Sequence, residues 1–141
     1  MKTNLKIYTS FINRENIEKI VERELLPIFI VRSIGKFDYL EKWSNTPLHF
    51  RELSPSYELY WLWRDGKIDY ELFCKRFIIE LSSLDFQDIV LRLENLAKAS
   101  NARGVVLLGI GENKDNSHRT IISDILWETK YLIQKPEELI L

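Results

Sequence analysis

Cysteine and histidine are scarce in this sequence, and the scarcity excludes two common ways of stabilising a small protein. Cys74 is the only cysteine among 141 residues, so the chain cannot form an internal disulfide. The two histidines, His49 and His118, are far apart and show no metal-ligand spacing with Cys74. We therefore expect no disulfide framework and no metal site. Cys74 follows Phe73 in a helical pattern, which favours a buried structural thiol over a reactive one.

Long apolar runs and an excess of one charge are also absent. No run approaches the roughly 20 apolar residues that a membrane-spanning helix needs. Twenty basic and 21 acidic residues give a formal net charge of −1, so the whole chain exerts no strong attraction on nucleic acid or on an anionic membrane. The possibility of a local patch of basic residues stays open. The N-terminus leads into a strand-like segment rather than a signal peptide, and we expect a cytoplasmic protein without a membrane partner.

Apolar residues make up 45% of the sequence, which is enough for one hydrophobic core, and the length suits a single domain over residues 1–141. Strand-like and helical segments alternate along the chain. Strands are predicted at residues 5–9, 27–31 and 104–111, with weaker candidates at 48–53 and 131–133. Helices are predicted around residues 17–25, at 57–64, 69–82 and 86–99, and from about 117 to 130. This order predicts an α/β fold with a mainly parallel sheet of four to five strands flanked by helices.

In an open parallel sheet, ligands bind beyond the carboxyl ends of the strands, so polar residues after each predicted strand are the candidates for a site. Ser54 and Ser56 could join them from a predicted helix N-terminus. The full set of candidates is Thr9, Ser10, Arg32, Ser54, Ser56, Glu112, Ser117, His118 and Arg119.

Arg32 and Arg119 are the candidate anion ligands. Arg32 follows an uncharged strand, where a guanidinium can bind a phosphate or carboxylate in bidentate fashion, and a structural ion pair fits the pattern equally well. His118 and Arg119 begin a predicted helix, where backbone N–H groups already favour an anion. Cationic side chains at that end are unfavourable unless an anionic ligand or a carboxylate such as Glu112 lies nearby. Glu112 or His118 would act as acid or base. The alternative that His118 is only a surface or packed residue stays open.

Two other motifs have weaker implications. Gly109 and Gly111 form a G-x-G pair without the third glycine of a dinucleotide loop, so no cofactor is expected. Tyrosines and tryptophans crowd residues 57–63. Core or interface packing explains them better than base stacking does on a chain of near-zero net charge.

The order of several segments resembles the domain of unknown function 488 family. The similarity is carried by residues 7–9, 31–33, 53–59, 64–69, 71–81 and 105–108, and by Glu112, His118 and Arg119. This resemblance implies a Rossmann-like α/β domain of unestablished activity, with a site around Arg32 and a Cys-His-Arg segment. Here Ser117 and Gly109 stand where relatives commonly carry cysteine. The aspartate that relatives frequently carry in the second strand is missing, and Ile30 stands near that place. Thiol or metal chemistry is therefore not expected.

Two hypotheses follow. In the first, the protein is an enzyme or a ligand binder for a phosphate-containing or other anionic ligand, such as a nucleotide or a nucleic-acid-related molecule. If it is an enzyme, a hydrolase or transferase activity is expected. In the second, it is a non-catalytic module that has lost the family's cysteine chemistry and binds a protein or nucleic acid. Self-association into a homodimer is left open by both.

Overall fold

The fold is taken from a computed structural model that describes residues 2–33, 38–43, 46–111 and 117–141. The strands in this part are β1 (Ile7–Phe11), β2 (Leu26–Phe29), β3 (Val105–Gly109) and β4 (Glu137–Glu138). The α-helices are α1 (Arg14–Glu22), α2 (Tyr57–Arg64), α3 (Tyr70–Leu81), α4 (Phe86–Ala99) and α5 (His118–Glu128). Short 3-10 helices cover Asp38–Trp43 and Arg51–Leu53.

All four strands are parallel and lie in the order β2-β3-β1-β4, which confirms the predicted α/β class and the parallel sheet. Val105 at the start of β3 pairs with Ile7 on one side and with Leu26 on the other. The strand-helix-strand unit β1-α1-β2 therefore has β3 inserted between its two strands. The long α2-α3-α4 segment separates β2 from β3 in the chain, and β3 then fills the gap in the sheet.

Helices cover both faces of the sheet, and this explains why its central strands are apolar throughout. Along β3, Val105 and Leu107 face the core that α2, α3, α4 and α5 contribute to, while Val106 and Leu108 face the core on the α1 side. The C-terminal tail completes the second core through Leu139 and Leu141. Two cores thus share one sheet, in the three-layer arrangement typical of α/β domains.

Side-chain caps fix where each helix begins. Asn13, Ser56, Asp69, Asp85 and Ser117 each accept a hydrogen bond from a backbone N–H in the first turn of the helix that follows. Such caps satisfy donors that have no partner inside the helix. The cap of α2 is Ser56, the second of the two serines at this predicted helix N-terminus.

The two weaker strand predictions were wrong. At residues 48–53 the chain makes a single bridge, between His49 and Phe29, and then turns into the 3-10 helix Arg51–Leu53. At residues 131–133 only Leu132 forms a bridge, to Thr3. The last strand comes later, at Glu137–Glu138, where two charged residues gave no strand signal.

The predicted helices occur, but some of their apolar stripes extend beyond the buried face. Val21 in α1 is half exposed, and Ile78 in α3 is exposed to a similar degree. None of the helices in the described ranges combines the length and the hydropathy that a bilayer crossing requires.

Candidate functional site

A cavity of about 230 Å³ lies beyond the carboxyl ends of β2 and β3. The residues that follow β2 form one wall, and Ile110 and Gly111 after β3 form another. Helix α2 closes a third side with aromatic side chains, and the N-terminus of α5 contributes Ser117 and His118. This is the carboxyl edge of a parallel sheet, at which ligands usually bind.

Arg32 projects from the end of β2 into the cavity wall. Its Nε donates to the carbonyl of Pro55 at 3.0 Å, and its Nη2 donates to the carbonyl of Ser54 at 3.3 Å. The guanidinium lies 5.7 Å from the centre of the Tyr57 ring. No carboxylate in the described part of the chain pairs with it. Two of its five N–H groups are thus used on backbone carbonyls, and the positive charge has no described counter-ion.

His118 is buried at the N-terminus of α5. Its Nε2 lies 2.5 Å from the carbonyl oxygen of Ile30 and must donate to it, because a carbonyl only accepts. The ring meets Phe77 edge-on, with the centroids 5.8 Å apart. Burial lowers the pKa of His118 to about 4, and the nearby Arg119 charge adds to this, while the bond to Ile30 opposes it. At neutral pH the imidazole is neutral, carries its proton on Nε2 and offers Nδ1 as an acceptor.

Arg119 is fully buried and binds a carboxylate of the protein itself. Its Nε and Nη2 donate to the two carboxylate oxygens of Glu138 at 3.1 and 2.9 Å, and its Nη1 donates to Ser117 Oγ at 2.9 Å. Thr9 Oγ1 donates to the same Glu138 carboxylate at 2.7 Å. A bidentate pair of this kind links β4 to the start of α5. The carboxylate expected near Arg119 is therefore supplied by Glu138.

The structure brings only part of the predicted site together. Arg32, Ser54, Ser117 and His118 all line the cavity, although the Ser54 hydroxyl donates to the carbonyl of Arg51. The remaining described candidates, which are Thr9, Ser10, Ser56 and Arg119, do not line it.

These four residues are held elsewhere. Strand β1 continues to Phe11, so Thr9 and Ser10 lie inside the strand rather than after it, and both are buried. Ser56 caps α2 and donates to Glu80 at 2.6 Å. Glu112, the other proposed acid or base, lies outside the described residues.

The sequence interpretation missed the aromatic wall. Tyr57, Tyr60, Trp61 and Arg64 all line the cavity and follow the i, i+3, i+4, i+7 spacing of one helical face. Leu59, on another face of α2, packs in the core. This spacing was visible in the sequence and separates the cavity face from the core face. A count of aromatic residues alone could not reveal it.

The charged groups that the structure describes around the cavity are all positive. Arg32 and Arg64 line it, whereas no described aspartate or glutamate does. Within the described ranges, no group of three or more histidine, cysteine, aspartate or glutamate side chains could hold a metal ion. The described lining of this cavity therefore carries positive charge only.

The sequence was compared with protein-family models, and one model matches most of the chain. It is DUF488-N3a, described as the active DUF488-N3 subclade, and it matches residues 14–130. The chain belongs to the domain of unknown function 488 family. This confirms the resemblance seen in the sequence. No curated protein and no solved structure matches the chain.

The N-terminus of α5 lies close to Gly109, at the end of β3. A Cβ atom at this position would lie 3.3 Å from both His118 Cε1 and Ser117 Oγ. The space that a larger side chain would take at the end of β3 is thus occupied by the start of α5. In this chain the histidine packs directly against the strand backbone.

Proposed function

We propose that the protein binds a small phosphate-containing or otherwise anionic ligand in the cavity at the carboxyl end of its sheet. The observation that carries this proposal is the Arg32 guanidinium, which lines the cavity without a described carboxylate partner. Its two bonds to backbone carbonyls orient the group and leave three N–H groups for another acceptor. A planar guanidinium with several donors suits the bidentate recognition of a phosphate or carboxylate.

The other lining residues favour an anion over a cation. Aromatic walls also bind quaternary ammonium groups, but the two described charges on this cavity, Arg32 and Arg64, would repel a cation. The N-terminus of α5 adds a partial positive charge at Ser117 and His118. Arg119 makes no direct contribution in this arrangement, because Glu138 occupies its guanidinium.

Catalysis is a further part of the proposal. A hydrolase or transferase would need a proton acceptor, and neutral His118 provides one at Nδ1. A pKa of about 4 makes this imidazole a weak base. His118 could act as an acid at neutral pH only if a bound ligand raised that pKa. Glu112 follows Gly111 in the sequence and stays a prediction as the acid or base. The description of the matching family model calls the subclade active but names no reaction. A cytoplasmic location also stays a prediction.

A thermal-shift screen of inorganic phosphate, pyrophosphate, sulfate and phosphorylated sugars tests the proposal. A ligand at a hundred times its dissociation constant stabilises the folded protein by about 2.7 kcal/mol. We expect stabilisation of the wild type, a loss of it in Arg32→Ala and a partial loss in Arg32→Lys. Arg103→Ala is the matched control, because Arg103 is exposed and precedes β3 at the opposite edge of the sheet. Equal shifts in Arg32→Ala and the wild type would refute the proposal.

One observation favours the alternative of a non-catalytic interaction module. Trp61 is 54% exposed and Tyr57 is 58% exposed, and large exposed aromatic residues are frequent at protein interfaces. If this face binds a protein or a second copy of the chain, Trp61→Ala should weaken that association even when no small ligand is present. Light scattering over a concentration series tests the homodimer directly. A monomer at all concentrations would exclude self-association through this face.

A further inference from the structure

We infer that the ligand of this cavity is a mononucleotide-sized molecule, with an aromatic base that stacks on Trp61 and a phosphate that binds Arg32. The inference rests on the proposed function, because it assumes that an anion occupies the cavity. It adds the chemical class of the rest of the ligand. The aromatic wall of the cavity points to this class, because the binding of an anion alone does not explain it.

The aromatic residues of the wall divide into a packed pair and an open ring. Trp63 stacks on Phe73, with ring centroids 4.8 Å apart and planes 29° from parallel. Phe73 therefore covers one face of the Trp63 ring. Trp61 meets Tyr60 edge-on, at 5.4 Å and 83°. An edge contact covers at most one face of the indole, and more than half of Trp61 is exposed to solvent. A flat aromatic ligand is the natural partner of an uncovered indole face.

Both arginines that line the cavity lie against aromatic rings of α2. The Arg32 guanidinium lies over Tyr57, and that of Arg64 lies 6.0 Å from the centre of the Tyr60 ring. A ligand that spans Trp61 and Arg32 therefore needs a planar ring at one end and an anion at the other. A nucleoside monophosphate has this composition, whereas a sugar phosphate lacks the ring and a free base lacks the anion.

The size of the cavity and the charge of the chain favour a free nucleotide over a nucleic acid. The cavity holds about 230 Å³, which suits a small molecule rather than a strand of several nucleotides. A formal net charge of −1 lacks the basic excess that usually supports binding along a phosphate backbone. We therefore expect a free nucleotide to bind, with little gain from added nucleotides.

The test compares ligands that carry the same phosphate. Isothermal titration calorimetry would measure ribose 5-phosphate, the four common nucleoside 5′-monophosphates and short oligonucleotides. Each would be titrated into the wild type, Arg32→Ala, Trp61→Leu, Trp61→Phe and Trp127→Leu. Base stacking on an aromatic side chain contributes enough to tighten binding about 5- to 150-fold. We expect at least one nucleotide to bind tighter than ribose 5-phosphate by a factor in this range.

The variants connect that difference to Trp61. Trp61→Leu should abolish the preference for the nucleotide over ribose 5-phosphate, and Trp61→Phe should restore part of that preference. Trp127→Leu is the matched control, because Trp127 is a partly exposed tryptophan that does not line the cavity. Circular dichroism would verify that each variant is folded.

Three results would overturn the inference, and they are distinguishable. If ribose 5-phosphate and the nucleotides bind with equal affinity, and Arg32→Ala weakens both, the aromatic contact is refuted and the anion site is retained. A lack of Arg32-dependent binding by every probe would refute the proposed function as well. Oligonucleotides that bind far more tightly than mononucleotides, with affinity falling steeply as salt increases, would replace the free nucleotide by a nucleic acid.

Discussion

His118 makes folding stability depend on pH, because the folded protein holds its imidazole neutral. Burial lowers its pKa to about 4, whereas an unfolded histidine titrates near 6.5. Between these values the unfolded chain binds more protons, so the free energy of unfolding falls as the pH decreases through this window and is fully present above about 6.5. The expected loss from His118 is about 2 kcal/mol between pH 7 and pH 5.

The variant His118→Gln isolates this contribution. Glutamine can still donate to the Ile30 carbonyl but does not titrate. All other ionisable groups are common to both proteins, so they cancel when the two pH profiles of unfolding by urea are subtracted. The stability difference between wild type and variant should shrink by about 2 kcal/mol from pH 7 to pH 5. A difference that is constant with pH would show that His118 is not held neutral.

Gly109 is the second residue at which packing leads to a prediction. An added Cβ would press on His118 and Ser117 at 3.3 Å, so Gly109→Ala should lower the free energy of unfolding by about 1–3 kcal/mol. Gly104→Ala serves as the comparison, because its Cβ would lie 2.7 Å from the backbone oxygen of Lys6, which moves less easily than a side chain. Urea unfolding should rank Gly104→Ala as the more destabilising change, and the reverse order would contradict this packing.

At the scale of elements, the ion pair between Arg119 and Glu138 holds β4 in the sheet. Glu138→Gln removes the negative charge from a side chain that a fully buried guanidinium binds through two hydrogen bonds, and the expected loss of stability is on the order of 3 kcal/mol. Glu137→Gln is the matched control, because Glu137 is the exposed neighbour in the same strand and should change stability by less than about 0.5 kcal/mol. If chemical denaturation finds the two variants equally stable, the ion pair does not anchor β4.

Local patterns predicted the helices well. The bounds of α2 and α4 coincide with the predicted residues 57–64 and 86–99, because caps and turn residues mark both ends. Strand β4 could not be predicted in this way. It has two glutamates, little β propensity and two residues in all, and it forms because Arg119, on another element, binds one of its carboxylates. Contacts between distant residues decide such elements.

At the scale of the whole molecule, the rule for parallel sheets predicted the position of the cavity better than the residues that line it. Arg32, Ser117 and His118 line one cavity, as expected from their places after predicted strands. The insertion of β3 between β1 and β2 was not visible in the sequence, since no local pattern encodes strand order. Arg119 was assigned to ligand binding because its partner Glu138, 19 residues away, could not be identified from spacing alone.

The central claim is that an anion binds Arg32 in this cavity, and an NMR titration tests it most directly. Inorganic phosphate would be added to ¹⁵N-labelled protein while the Arg32 Nε–H and the indole signals of Trp61 and Trp127 are followed. The account predicts that the Arg32 signal shifts and saturates, that Trp61 shifts less with the same dissociation constant, and that Trp127 stays in place. Saturable shifts confined to residues away from the cavity, or no saturable shift at Arg32, would contradict it.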